Sequence, residues 1–328
     1  MIEIKEFKGI TVADYEPLVQ IYNTVHPEHP NTASSIHRRD GEWDHEKFVQ
    51  KRLLAYVDGE LAGAGWYRHM MYMHDPHRFN VHLDVLPGFR RQGVGTALYD
   101  HIIARLKADH QAQEVHTWAR EHHTEGLAFA RKRGFSETQR ESESWLETAD
   151  FDYSPYDSLD EKLEQNNIKV KTLSQLCDEV PDALRKMHEL EMILLRDLPS
   201  PDEITPVPFE QWVKGFQPSN PEFLPEAQYI ALYEGEWVGM SALWASEALA
   251  DRLYQGLTGV RREYRRMGIA TALKLRTIQF AQARGNCTII TDNEANNPML
   301  QINLMLGFVK QPDGISMKVA IAELVPVD

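Results

Sequence analysis

The chain has 328 residues, of which 42% are apolar and 26% are charged, and only two are cysteines. This length fits two domains of ordinary size, and the composition excludes a mainly disordered chain, a collagen and a small disulfide-rich scaffold. Lys and Arg number 35 against 49 Asp and Glu, so the net charge of −14 argues against general nucleic-acid binding. No apolar run is long enough for a transmembrane helix, and the N-terminus lacks the apolar core of a signal peptide, so we expect a cytoplasmic protein without membrane contact.

The predicted elements of the first half alternate between helices and strands. Thr11 and Asp14 indicate a capping box that opens a helix running to about Val25. Strands are predicted near 52–57, 60–71, 80–86 and 114–119. One helix is predicted to begin at Gly93, and a second helix, after the strand at 114–119, is predicted to end at Arg133. Further strands are predicted from Phe135. This order predicts a mixed α/β domain, and the second half repeats it, ending in strands near 308–310 and 315–321.

Three features of the first half recur in the second at a nearly constant spacing. The matched segments are Asp58-Gly59 with Glu234-Gly235, Arg90-Arg91-Gln92-Gly93 with Arg265-Arg266-Met267-Gly268, and Gly134-Phe135 with Gly307-Phe308. Three matches in register predict a duplicated domain of roughly 150 residues, and chance similarity among glycine turns is the alternative.

The stretch 141–165 separates the two repeats by its composition. It holds nine acidic residues, one lysine and a proline, which is typical of a solvated linker. The apolar pattern then restarts at Ile168, much as the chain began. We therefore predict an N-terminal domain at 1–148, an acidic linker at 149–167 and a C-terminal domain at 168–328.

A strand, turn and helix around Gly93, repeated around Gly268, form a predicted anion site. Glycine lets the backbone approach a ligand closely, and the first amides of a helix lack internal partners. Arginines surround the second turn: Arg261, Arg262, Arg265 and Arg266. The turn matches neither the dinucleotide fingerprint nor the nucleotide-triphosphate loop, so the expected ligand carries a pyrophosphate but is neither NAD nor ATP. A solvated basic face is the competing interpretation.

The segments VLPGFRRQGVGTALYDHI and TGVRREYRRMGIATALK resemble the acyl-CoA-binding motif of the GNAT superfamily of N-acetyltransferases. The strand, helix and Gly-Phe that follow each segment resemble the next motif of that family, so the resemblance covers nearly the whole chain. It implies two tandem GNAT domains of mixed α/β fold, each with a central, mostly antiparallel sheet, a splayed strand pair and flanking helices. It also implies acetyl-CoA as the cofactor and acetyl transfer to a primary amine.

The resemblance assigns acetyl-CoA binding to equivalent residues in both repeats. In the family, the strand before the loop holds the pantetheine and the thioester, and the loop amides hold the pyrophosphate. The first repeat supplies Leu83, Asp84, Val85, Arg90, Arg91, Gln92, Gly93, Val94, Gly95 and Thr96. The second supplies Thr258, Gly259, Val260, Arg265, Arg266, Met267, Gly268, Ile269, Ala270, Thr271, Asn296 and Asn303. His123 stands in the first repeat where Asn296 stands in the second.

The resemblance gives few catalytic candidates. Many members use a tyrosine to protonate the departing thiolate, but Ala130 and Asn303 stand at that position. A thiolate is a tolerable leaving group near neutral pH, and Asn303 either donates a hydrogen bond to sulfur or has a structural role. For the base that takes the amine proton, the candidates are Asp84, with His82 beside it, and Glu294. An exposed carboxylate at a strand end is the alternative interpretation of each.

The C-terminal repeat is expected to be the catalytic one, since it has Asn296 and the richer arginine cluster. The N-terminal repeat then shapes the molecule or binds cofactor without turnover. The expected partner is a small-molecule amine, for a protein that is a monomer or a homodimer. A non-catalytic acyl-CoA sensor and a protein-lysine acetyltransferase remain alternatives.

Two further groups of polar residues are candidates for binding an amine or a metal ion. Asp197, Asp202 and Glu203 follow a helix in the region that usually borders the acceptor site in this family, so they either attract an amine or form a solvated loop. Histidines cluster at His26-Pro27-Glu28-His29, at His69, His74 and His77, and at His122-His123. No cysteine partners them and none has the spacing of a helical zinc motif, so no metal site is expected.

Overall fold

The computed structural model describes residues 1–198 and 204–325, which form two compact units. The first unit contains residues 1–139 together with the described residues from 314 onward, and the second contains residues 140–313. Within the described residues, no helix combines the length and the apolar character that crossing a membrane requires.

The elements of the first repeat follow the predicted order. They are β1 (Ile2–Glu6), α1 (Glu16–Val25), α2 (Ala33–Glu42), β2 (Gln50–Val57), β3 (Glu60–Arg68), β4 (Arg78–Val85), α3 (Val94–His110), β5 (Glu114–Arg120), α4 (Thr124–Lys132) and β6 (Ser136–Glu147). The Thr11 amide donates to the Asp14 carboxylate at 2.7 Å, but the turn it opens is a 3-10 helix at Val12–Tyr15. The α-helix itself begins at Glu16, where Pro17 favours a first turn.

The second repeat has the same alternation of helices and strands. Its elements are α5 (Leu159–Gln165), β7 (Ile168–Thr172), α6 (Leu173–Glu179), α7 (Ala183–Leu195), α8 (Phe209–Trp212), β8 (Phe223–Tyr233), β9 (Glu236–Ala245), β10 (Arg252–Val260), α9 (Ile269–Ala283), β11 (Thr288–Glu294), α10 (Pro298–Met305), β12 (Val309–Lys310) and β13 (Gly314–Ala320). The stretch expected to be an acidic linker contains α5, whose Leu163 is buried and whose Asp160 pairs with Arg276 at 2.7 Å.

The sheet of the first unit has the strand order β1-β2-β3-β4-β5-β13, followed by the start of β6. Its pairs are antiparallel except for β4 with β5. Helix α3 packs on this sheet, and five residues at helical spacing predict its buried face: Val94, Leu98, Ile102 and Leu106 are buried, and Ala97 is half-buried. The second unit has the order β6-β11-β10-β9-β8-β7, with β10 parallel to β11.

The parallel strands separate part of the way along each sheet. The pairing of β4 with β5 ends at Asn80 and His116, five residues before β4 ends. The pairing of β10 with β11 ends at Tyr254 and Ile290. The predicted mixed α/β fold, with mostly antiparallel sheets and a splayed strand pair in each, is confirmed.

Backbone angles repeat between the two units at the residues that the sequence matched. Asp58 and Glu234 both have φ of 49°, and Gly93 and Gly268 both have φ of 85°. Positive φ is rare for residues other than glycine. Its recurrence at equivalent turn positions supports a duplicated structure rather than chance similarity of glycine turns.

The final strands of the two repeats are exchanged: the last strand of the first repeat pairs within the second unit, and the last strand of the second repeat pairs within the first unit. Strand β13, at the end of the second repeat, pairs with β5, and Ile315, Met317 and Val319 lie in the core of the first unit. Strand β6 pairs with β11 from Glu141 to Glu147. The units therefore divide the chain differently from the predicted boundaries of 1–148 and 168–328, because an alternating strand pattern does not specify which sheet the strand joins.

Candidate active site

The turn between strand and helix has the same internal support in both units. Nε of Arg90 donates to the Val85 carbonyl at 3.2 Å, and Nε of Arg265 donates to the Val260 carbonyl at 3.0 Å. Each arginine thus ties the loop to the end of its strand. The first bonds within the helices run from Ala97 to Gly93 and from Ala272 to Gly268. The preceding amides have no partner within the helix and form the positive end of its dipole.

The start of α9 requires glycine because of its left-handed backbone conformation as well as because of a steric clash. The φ of Gly268 is +85°, and an added Cβ would lie 2.8 Å from Cδ1 of Leu159. At Gly93 the φ is the same, but the nearest atom would be 3.6 Å away. The left-handed conformation, which glycine adopts freely, turns the chain from the loop into the helix at this residue.

A cavity of about 550 Å³ lies beside this loop in the second unit. Its lining includes most of the residues predicted to bind the cofactor there: Thr258, Gly259, Val260, Arg265, Arg266, Gly268, Ile269, Ala270 and Thr271. The end of β10 and the start of α9 thus border one cavity, which is of the size that small-molecule ligands occupy. An anion at the helix start and an extended chain along the strand can share it.

The asparagine at the start of α10 that lines this cavity is Asn297. Its Oδ1 accepts a 2.9 Å hydrogen bond from the Met299 amide, so it caps the helix. The predicted Asn296 lies one residue earlier, and its backbone and side-chain nitrogens donate to Glu294 at 2.8 and 3.0 Å. Glu294, a predicted base, is therefore engaged with its neighbour at the end of β11.

Asn303 is fully buried in the second unit. Its Nδ2 donates to Oδ1 of Asn293, while its own Oδ1 is buried. The side-chain donor predicted to face the departing sulfur is therefore used inside the protein. In the first unit the equivalent Ala130 is also buried.

A carboxylate contacts the loop that is predicted to bind phosphate in the second unit. Asp197, which follows α7, accepts a 2.7 Å hydrogen bond from Nε of Arg262 and forms an ion pair with Arg265. The hydrogen bond from Arg262 and the charges of both arginines lower the pKa of Asp197 from its usual value. Asp197 therefore lies beside the loop predicted to bind acetyl-CoA. Asp202 and Glu203, the other two acidic residues predicted to attract an amine or to form a solvated loop, fall outside the described residues.

Helix α7 also carries a carboxyl group that the sequence analysis missed. Burial raises the pKa of Glu191 to about 7, against the opposing effect of a hydrogen bond from Trp212. Glu191 lies one turn before Leu194 on α7, and a Cβ at Gly259 would lie 3.1 Å from Cδ1 of Leu194. Glu191 therefore lies on the helix whose Leu194 packs against the strand predicted to hold the thioester. In the sequence, only the position of Glu191 among the apolar residues of the helix indicates that its carboxyl group is buried.

In the first unit, Asp84 is buried between two histidines. Its Oδ1 lies 2.8 Å from Nε2 of His26, and its Oδ2 lies 3.0 Å from Nε2 of His82. Burial alone would raise the pKa of Asp84, but the His82 charge and the two hydrogen bonds outweigh it and hold the pKa well below its usual value. Asp84 is therefore a permanent negative charge and a weak base. His26 was missed as its neighbour because 58 residues separate the two in sequence.

The two units differ at these strand positions. In the second unit, Leu257 and Gly259 stand where the first has His82 and Asp84, by the spacing that matches the loops.

The first unit has an additional contact at the start of α3, where Nη2 of Arg133 donates a hydrogen bond to Thr96 Oγ1 at 3.0 Å. Arg133 directly precedes Gly134 and was not predicted to contact the loop.

The chain belongs to the acetyltransferase (GNAT) family, whose model matches residues 16–135 and 187–308. It therefore consists of two tandem GNAT domains, and this family membership supports acyl transfer to nitrogen with acyl-CoA as donor. No significant match was found among curated proteins.

Solved structures of low sequence identity share the tandem fold over the full chain. A tandem GNAT protein from the clavulanic acid biosynthesis pathway is 17% identical with a TM-score of 0.71, and all of both chains is covered. A GCN5-related N-acetyltransferase from Sphaerobacter thermophilus is 19% identical with a TM-score of 0.69, covering 100% of this chain and 97% of that one. A GNAT-family acetyltransferase from Colwellia psychrerythraea is 14% identical with a TM-score of 0.58, covering 97% and 99%.

Proposed function

We propose that the protein transfers an acetyl group from acetyl-CoA directly to the primary amine of a small molecule, and that the second unit is the catalytic one. The observation that carries this proposal is the cavity of about 550 Å³ bounded by the end of β10 and the start of α9. It joins an anion-binding helix start to an open strand edge, which suits a ligand with a pyrophosphate at one end and an extended arm.

Charge supports a polyphosphate donor at this loop. Arg265 and Arg266 line the cavity in a chain whose net charge is −14. Backbone amides and guanidinium groups together make charge-assisted hydrogen bonds to phosphate oxygens. The acidic remainder of the molecule favours the approach of a cationic amine over that of an anionic acceptor.

Transfer requires a neutral amine, because an alkylammonium has no lone pair for attack. The amine nitrogen bonds to the thioester carbon, the carbon–sulfur bond breaks, and the amine proton passes to a base. We propose Glu191 as that base, since its pKa of about 7 suits proton transfer at neutral pH and α7 packs on Gly259. Glu294 stays a candidate, although it accepts hydrogen bonds from Asn296.

Calorimetric titration with acetyl-CoA and an assay of CoA release test the proposal. Arg266 lines the cavity with φ of 66°, and Arg91 is its counterpart in the first unit with φ of 60°. We expect Arg266→Glu to lose donor binding and turnover and Arg91→Glu to keep turnover. Loss of turnover in Arg91→Glu alone would assign catalysis to the first unit, and absence of acetyl-CoA binding in the wild type would refute the function.

A non-catalytic acyl-CoA sensor is the second candidate. It is favoured by the buried Asn303, which hydrogen-bonds to Asn293 where many relatives have a catalytic tyrosine. Tight acetyl-CoA binding without CoA release across a broad panel of amines would support the sensor. Acetylation of protein lysines above background, measured by mass spectrometry, would instead identify a protein substrate.

A further inference from the structure

Five side chains that can ligate metal ions converge in the first unit. His26, Glu28 and His123 present donor atoms that all lie within 4.8 Å of one another, and so do His26, His82 and Asp84. His26 belongs to both groups. The donors come from the end of α1, the loop after it, strand β4 and the loop before α4, so separate segments of the fold meet at this point.

The local structure fixes the positions of these donors. His82 and Asp84 are two residues apart on β4, so their side chains leave the same face of the strand. His26 is the C-terminal cap of α1, and His123 is the N-terminal cap of α4. Neither histidine therefore lies on a free loop.

Neighbouring rings hold the imidazoles in place. Trp66 stacks on His82 with ring centroids 5.4 Å apart, and Tyr22 contacts His26 at 4.7 Å. His123 packs against His26 at 5.2 Å. These apolar and aromatic surroundings limit the access of solvent to the imidazoles, as the apolar shell around a metal centre does.

The donor atoms of His26, His82 and Asp84 all lie within 4.8 Å of one another, which is close enough for one small cation to contact all three. Nε2 of His26 and Nε2 of His82 lie 2.8 and 3.0 Å from the two Asp84 oxygens. Ligands of a tetrahedral zinc ion, with bonds of about 2.0–2.1 Å, lie roughly 3.3 Å from one another. A metal ion at this point would take the place of the two hydrogen bonds, with the Asp84 carboxylate as a ligand between the two imidazoles. His26 and Asp84 are buried, and a buried carboxylate that meets two imidazoles is a suitable anionic ligand.

We propose that the first unit binds one divalent transition-metal ion through His26, His82 and Asp84, with His123 and Glu28 at the same centre. The imidazole and carboxylate donors, without a thiolate, select ions such as Zn²⁺ or Co²⁺. This site ties α1 and β4 to the loop before α4. It differs from the sequence expectation of no metal site, which considered spacing along the chain rather than proximity in the fold. It is independent of acetyl-CoA binding by the second unit.

Titration of the untagged full-length protein, stripped with a chelator, tests the site with Zn²⁺ by calorimetry and with Co²⁺ by visible absorption. A Cys177→Ser background removes the exposed thiol. We expect one equivalent to bind, and His26→Ala or Asp84→Asn to reduce the affinity at least about 10- to 100-fold, which is the loss caused by removing a residue that only supports a ligand. The matched control is His101→Ala, an exposed histidine of α3, which should bind like the background protein.

Three outcomes would overturn the proposal. These are a Zn²⁺ dissociation constant weaker than about 0.1 mM, unchanged binding in both ligand variants, or equal loss in the control. Circular dichroism of each variant identifies any that fails to fold. Glu28→Gln is a milder variant, and it should alter the Co²⁺ spectrum while leaving acetyl-CoA binding unchanged. If the histidines and Asp84 form only a hydrogen-bonded relay, the Co²⁺ bands will be absent.

Discussion

Asp197 forms a 2.7 Å hydrogen bond with Nε of Arg262 at the loop predicted to hold phosphate. The carboxylate neutralises part of the arginine charge that would otherwise be available to bind a pyrophosphate. Donor binding in the second unit must therefore displace or share this contact.

Removing the Asp197 charge should strengthen donor binding. An exposed ion pair contributes about 0.2–1 kcal/mol, so we expect Asp197→Asn to lower the acetyl-CoA dissociation constant about 1.4- to 5-fold. Calorimetric titration measures the change. Asp160→Asn is the matched control, because it breaks the Arg276 ion pair on α5 instead. Weaker binding in Asp197→Asn would show that the carboxylate positions the arginines for the donor rather than competing with it.

The buried Lys274 should make the stability of the second unit depend on pH. Burial lowers its pKa from 10.5 to about 7, and its Nζ lies 3.3 Å from Oε1 of Gln255. Between about pH 7 and 10 the unfolded chain binds more protons than the folded one. The free energy of unfolding should therefore rise with pH across that window, by up to about 1.4 kcal/mol per unit.

Lys274→Met tests this dependence by urea unfolding at several pH values. The variant should lose most of the rise between pH 7 and 10 and should be more stable than the wild type at pH 7, because no charge must be desolvated. The exposed Lys186→Met on α7 should keep the wild-type profile. A Lys274→Met profile that rises as steeply as the wild type would contradict the assignment.

The repeated Gly-Phe turns offer a matched pair of substitutions. Gly134 and Gly307 have φ of 93° and 86°, so alanine at either should destabilise its unit by about 1–2 kcal/mol. A Cβ at Gly134 would also lie 3.0 Å from the Glu323 carbonyl oxygen, whereas the nearest atom at Gly307 is 3.8 Å away. Gly134→Ala should therefore be the more destabilising, as measured by urea unfolding. Equal effects would mean that the Glu323 backbone relaxes without cost.

The exchange of final strands predicts which unit each core residue supports. Ile315 is 1% exposed and belongs to the core of the first unit. Ile315→Ala should cost about 2–5 kcal/mol and should raise hydrogen exchange in β4 and β5. Ile289→Ala, in the core of the second unit, should raise exchange in β10 and β11 instead. Faster exchange confined to the second unit in Ile315→Ala would contradict the strand assignment.

Local chemistry made part of this structure predictable. The turns at Asp58-Gly59 and Glu234-Gly235 and the helix starts at Gly93 and Gly268 follow from glycine and from short-range periodicity, and the structure has them. The partner of strand β13 was not predictable, because its apolar alternation fits either sheet. Contacts between distant segments were also missed. Asp84 lies 58 residues from His26, and Asp197 lies 65 residues from Arg262.

The position of β13 in the first unit bears on the order in which the protein forms during synthesis. Residues 140–313, which make up the second unit, are contiguous and precede β13. The first unit cannot complete its sheet until Ile315, Met317 and Val319 have left the ribosome. The sheet of the earlier-made repeat therefore stays incomplete until the second repeat has also been synthesised, and until then the β5 edge that β13 covers is exposed to other chains.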